Sequence, residues 1–145
     1  MNHSEIINKA ESIAIIGVSR DKKKFGYIIY KELLNRNKHV YPVNPLINEI
    51  DGFPCVPEIK SLKQIPELVV SVVKPHVTLQ IIKENHQKGI KYFWLQPGSQ
   101  SKEVIEFCDT NNISYITGKC VLMYLEPVKG IHTVHRFFSR LFGKY

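Results

Sequence analysis

The residues best suited to chemistry lie early in the chain: Gly17-Val18-Ser19, then Arg20, Lys22, Lys23 and Lys24, then Gly26. An apolar run over residues 12–17 breaks at a glycine into this basic stretch, and a helix-like segment opens behind it. A buried strand feeding a glycine-containing loop and a helix N-terminus is a standard phosphate holder, because loop N–H groups and the helix dipole both favour negative charge. The four cations add to that field, so the expected guest is a polyanion, a nucleotide. The competing reading is a solvated turn with a surface lysine run. Ser19 either donates its hydroxyl to a phosphate or serves only as a turn residue.

Three further strand ends would share such a cleft. Val43-Asn44-Pro45 ends a second apolar run; Asn44 either hydrogen-bonds polar ligand atoms or simply terminates the strand. Val73-Lys74-Pro75 ends a third, and Pro75 either walls a pocket beside His76 or opens a helix. Trp94-Leu95-Gln96-Pro97-Gly98 ends a fourth; Trp94 reads as core, and Gln96 serves either a ligand or local backbone.

Catalytic patterns are absent from this reading. The first loop is not G-x-G-x-x-G, and residues 43–45 offer neither an acid for a ribose nor an Arg for a 2′-phosphate, which disfavours NAD(P). Cys120 has no His at a companion position and reads as a buried structural thiol. His132 and His135 have i, i+3 spacing but no carboxylate partner, so no metal site is expected. Neither a Ser-His-Asp pattern nor paired carboxylates stand out.

The elements that must position these residues alternate in type. Strands are expected over residues 12–17, 38–43, 67–73, 91–96 and 113–117, with a short edge strand near 53–56. Helices are expected over 25–37, 75–88 and 101–111, with Gly89 capping the second. Near-continuous apolar strands alternating with helices predict a parallel sheet covered on both faces, a Rossmann-like three-layer α/β sandwich. Ligands of such sheets sit beyond the C-terminal strand ends, where strand order reverses.

The 145 residues suffice for one domain with a real core, and no apolar run approaches the roughly 20 residues that cross a bilayer. The N-terminus lacks a signal-peptide pattern, and Cys55, Cys108 and Cys120 are too widely spaced for a metal cluster. A cytoplasmic address with reduced thiols is expected. Four of the seven net positive charges follow Glu126. Residues 131–142 there read as an amphipathic helix, docking on the domain or a second subunit, or else touching membrane or RNA.

Taken together, these motifs resemble the small stand-alone CoA-binding-domain proteins, which are similar to the N-terminal CoA-binding domain of the succinyl-CoA synthetase alpha subunit. The resemblance spans about Ile13 to Cys120 and rests on IAIIGVSRDKKKFGYIIYKELL, VYPVNP, the G-x-P-C stretch from Gly52 to Cys55, VVSVVKP and FWLQPG. It implies a Rossmann-like fold in which Gly17, Val18 and Ser19 meet CoA phosphates. Asn44 and Pro45 would flank the nucleotide, and Val73, Lys74 and Pro75 would line its other side. Pairing of Lys22, Lys23 and Lys24 with phosphate is an electrostatic inference rather than a family assignment. Nothing in these residues resembles the ATP-grasp or phosphohistidine-bearing parts of the synthetases, so ligase chemistry is not expected.

The expectation is a non-catalytic binder of CoA or acyl-CoA, with residues 1–120 as the binding domain and 121–145 as a basic extension. Its partner is a small nucleotide ligand, without nucleic acid, and the extension is available to a second copy or a protein partner. Two alternatives stay open. One is an NAD(P)-binding redox protein involving Cys120; the other is an interaction protein whose nucleotide site has decayed.

Overall fold

Apolar residues dominate β1 (Ser12–Ile16), β5 (Leu68–Ser71) and β6 (Tyr92–Leu95), the three central strands of a five-stranded sheet. The structure, a computed structural model, describes residues 2–127. Strand order is β2 (His39–Val43), β1, β5, β6, β7 (Tyr115–Ile116), and every pairing is parallel. This is the expected Rossmann-like architecture.

Successive side chains of a strand face opposite layers, so a strand buried on both faces needs apolar residues throughout. Ile13, Ile15, Leu68, Val70 and Trp94 pack on one face beneath α1 (His3–Lys9) and α2 (Phe25–Leu34). Ala14, Ile16, Val69, Phe93 and Leu95 pack on the other with α3 (Pro75–Asn85) and α4 (Lys102–Thr110). Trp94 is fully buried, and its indole N–H donates to the Lys119 carbonyl at 2.9 Å. It is core, as expected.

The sequence reading did not include α1. Its N-terminus is held by a capping box between Asn2 and Glu5, and Ile6 and Ile7 enter the core. Lys38 Nζ donates to the carbonyls of Asn8 and Ala10 at 2.8 and 2.6 Å, serving the far end of that helix. Burial there lowers the Lys38 ammonium below its ordinary value.

The single edge strand expected near 53–56 is instead an antiparallel hairpin of β3 (Glu49–Ile50) and β4 (Phe53–Pro54), while Val56 makes one parallel bridge to Val43. Asp51 and Gly52 form its tip with φ of 49° and 83°, the left-handed pair a two-residue hairpin turn requires. The Tyr27 hydroxyl donates to Asp51 Oδ2 at 2.7 Å and keeps that carboxyl below its usual range.

Helices α2 and α3 end at Leu34 and Asn85, earlier than their apolar periodicity suggested. Past Cys120 the chain forms a 3-10 turn, Val121–Tyr124, whose Val121 and Leu122 belong to the core. The helix expected over residues 131–142, with His132 and His135, lies outside the described residues.

All three cysteines are buried and free. Desolvation pushes the Cys108 thiol up to about 11 from an ordinary 9.0. The folded protein thus holds that proton more tightly than the unfolded chain. The group favours folding below about pH 9, and its contribution drains away as the pH rises toward 11. At pH 8 only about one part in a thousand is thiolate, the reactive form. Cys108 is therefore expected to escape Ellman's reagent at pH 8 until denaturant is added, and rapid labelling of the native protein at Cys108 would contradict this.

Candidate functional site

The chain leaves β1 for β2 on one side, then crosses back to β5 on the other, so strand order reverses between β1 and β5. A cleft opens at their C-terminal ends and has two lobes that share Gly17 and Val73. The first, about 420 Å³, lies among Val43, Asn44, Pro45, Ile59, Val77 and Ile81. The second, about 460 Å³, lies among Ser19, Lys24, Gly26, Lys74, Gly98 and Ser99.

Two glycines allow this junction. Gly17 has φ +95°, and a Cβ there would meet Val73 Cγ1 at 2.8 Å. A Cβ on Gly26 would sit 2.4 Å from the Gly17 carbonyl oxygen. The end of β1 and the first turn of α2 therefore touch backbone to backbone. Gly17 N–H donates to the Val43 carbonyl at 3.0 Å, tying the same point to β2.

Asn44 acts on the protein itself. Its Nδ2 donates to the Val18 carbonyl at 2.7 Å, and its Oδ1 accepts from Leu46 N–H at 2.8 Å. It staples the loop after β1 to the loop after β2. Ser19 Oγ accepts from Asp21 N–H at 3.0 Å, a local turn bond that leaves its hydroxyl proton available. Arg20 turns to the hairpin, where Nε donates to the Glu49 carbonyl at 3.1 Å and Nη2 lies 3.5 Å from Glu49 Oε1.

The lysines separate. Lys24 and Lys74 line the second lobe, whereas Lys22 and Lys23 stand exposed on the loop and line neither lobe. Pro75 occupies the first position of α3, where its missing N–H costs nothing. Gln96 departs from the expected mouth of the cleft: its Oε1 accepts from Val121 N–H at 2.7 Å, and its Nε2 lies 3.3 Å from Cys120 Sγ. Its amide serves the 3-10 turn, because burial at 4% exposure requires partners. Cys120, 8% exposed, faces that amide.

The helix ends carry the site's electrostatics. Asn2 caps α1, and Ser101 Oγ accepts from Val104 N–H to cap α4. Helices α2 and α3 instead have Lys24 and Lys74 at their N-cap positions, and neither has a side-chain cap bond. A cation at an uncapped N-terminus adds to the positive end of the helix dipole rather than opposing it. Both such ends open on the cleft. The second lobe is lined by these two lysines and no carboxylate, while the first is lined by Glu58 and Glu84 and no Lys or Arg.

Two further cleft residues, Phe25 and Ser99, lie in the strand-end segments 17–26 and 96–99 that the sequence points to, but neither is assigned a role by its pattern. Phe25 lies on the apolar stripe of α2 but is 38% exposed and lines the second lobe, whereas Tyr27 of the same turn enters the core. Ser99, in the turn after β6, is 2% exposed and lines the same lobe.

Fold and cleft together define a Rossmann-like α/β protein whose candidate site lies at the reversal of strand order. The chain belongs to the CoA binding domain family, whose model matches residues 11–126. It is similar to an ADP-forming acetate–CoA ligase of Methanocaldococcus jannaschii, 36% identical over 85 residues, or 59% of this chain. The chain spans about an eighth of that ligase, since the match covers 12% of the enzyme. It is also similar in structure to a conserved hypothetical protein of Pyrococcus furiosus, with a TM-score of 0.72 and 38% identity over 77% of this chain and 96% of the other. A hypothetical protein of Pyrococcus horikoshii OT3 has a TM-score of 0.78 and 28% identity over 84% of this chain and 86% of the other. Among the described residues no helix is long and apolar enough to cross a membrane, and no group of three or more His, Cys, Asp or Glu residues could hold a metal ion.

Proposed function

We propose that the protein binds CoA or an acyl-CoA in this cleft without transforming it. The observation that carries the reading is the pair of uncapped helix N-termini, each headed by a lysine, converging on one lobe. A diphosphate beside Gly17 and the first turn of α2 would supply the missing acceptors and neutralise Lys24 and Lys74. The mainly apolar first lobe suits a base and ribose between Asn44-Pro45 and Val73. Its two carboxylates leave a 3′-phosphate to the exposed loop cations Lys22 and Lys23.

The family supports CoA as the nucleotide, and the ligase relative carries the same domain within a larger enzyme. Cys55 and Cys120 are both buried and neither lines either lobe, which supports binding without turnover. Titration calorimetry with CoA, dephospho-CoA and NAD tests the reading. CoA is expected to bind with 1:1 stoichiometry and most tightly, and to weaken as salt screens the lysine contacts. Equal affinity for all three ligands, or no CoA binding, would overturn it.

A further inference from the structure

We propose that Asn44 is a positioning residue: by holding the Val18 carbonyl, it turns the Val18–Ser19 peptide so that its N–H, not its oxygen, faces the ligand's phosphates. The inference rests on the CoA reading above. It gives Asn44 a role exerted through the loop after β1 rather than a polar contact with the nucleotide.

The peptide bond between Val18 and Ser19 is trans. In a planar trans peptide the C=O and N–H point in opposite directions, so fixing one fixes the other. Asn44 Nδ2 donates to the Val18 carbonyl oxygen at 2.7 Å. Asn44 lines the first lobe and Ser19 the second. The oxygen is thus drawn toward Asn44, and the Ser19 N–H is directed away from it. That N–H donates to nothing among the described residues. Were the peptide turned over, a carbonyl oxygen would face the phosphates and repel them.

Such a bond can set an orientation only if Asn44 is itself held. Its backbone N–H donates to the Val56 carbonyl at 2.9 Å, and its Oδ1 accepts from Leu46 N–H at 2.8 Å. Pro45 narrows its backbone freedom further. Across the bond, the Val18 side chain is fully buried in the core, and Ser19 Oγ accepts from Asp21 N–H at 3.0 Å. With both flanks fixed, the peptide plane between them is set by the Asn44 donor. Aspartate would fill the same space and still accept from Leu46. Ionised, it has no proton to give, and its charge would push the Val18 oxygen away.

The test is titration of the full chain and its Asn44→Asp and Asn44→Ala variants with CoA, ADP and adenosine, followed by amide NMR. Aspartate keeps the Leu46 bond and loses the donor; alanine loses both and brings no charge. Both variants are expected to bind CoA and ADP about tenfold more weakly, about 1.4 kcal/mol, and to bind adenosine as the parent does. In the parent, the Ser19 amide proton should move downfield on saturation with ADP, as a charge-assisted bond to phosphate forms. In both variants it should stay in place. Adenosine affinity that falls in step with ADP affinity would overturn the inference, because Asn44 would then be touching the nucleoside. Unchanged ADP affinity, or the same Ser19 shift in the variants, would overturn it as well, and none of these results touches the CoA reading. A parent that binds neither CoA nor ADP would remove that reading, and this inference with it.

Discussion

Gly26→Ala is expected to abolish measurable CoA binding and to lower the melting temperature by several degrees. The added methyl would lie 2.4 Å from the Gly17 carbonyl oxygen and 3.1 Å from Val18 Cα, both backbone atoms. No side-chain rotation relieves that contact, so either α2 moves away from β1 or the loop deforms. Overpacking of this kind costs about 1–3 kcal/mol, and each kcal/mol lowers the melting temperature of a domain this size by about 4 °C. Binding should suffer more than stability, because the displaced atoms are those that would aim loop and helix N–H groups at the phosphates of the proposed ligand. Differential scanning fluorimetry with and without CoA reads both effects. A variant that melts normally and binds CoA normally would show that the Gly17–Gly26 contact is dispensable.

The double variant Lys24→Asp, Lys74→Asp is expected to move stability and binding in opposite directions. Asp is among the best N-cap residues, and its carboxylate opposes the helix dipole favourably. Each substitution should add about 0.5–1 kcal/mol to the free protein. Both also replace a cation with an anion where phosphates are proposed to sit, so CoA affinity should fall by at least about a hundredfold, roughly 3 kcal/mol. A denaturant melt and a CoA titration on the same preparation decide the matter. Loss of stability, or retained affinity, would mean that these helix ends are ordinary surface termini.

Much of this site was legible from local chemistry. The apolar run into Gly17, the proline that opens α3 and the paired strand ends all express preferences of a few adjacent residues, and the parallel sheet followed from them. What stayed hidden depends on distant partners. Gln96 turns inward because Val121, 25 residues on, presents an N–H to it. Asn44 is engaged by Val18, 26 residues before it. The expectation of one edge strand near 53–56 overlooked the hairpin turned by Asp51-Gly52, a local signal that was present in the chain. Helix α1 has only two inward isoleucines in seven residues, and its stability comes from the surface it covers, which no periodicity over so short a span reveals.

The lysine-headed helices also bear on how long each copy of the protein survives. A fold that keeps two of its helix dipoles unopposed is less stable alone than its architecture permits, and a ligand that opposes them becomes part of the folding equilibrium. At a free ligand concentration one hundred times the dissociation constant, binding to the native state alone adds about 2.7 kcal/mol. The population exposed to proteolysis would then shrink roughly a hundredfold as ligand rises. Supply of the nucleotide would thereby set the abundance of its own binder, with no dedicated regulator.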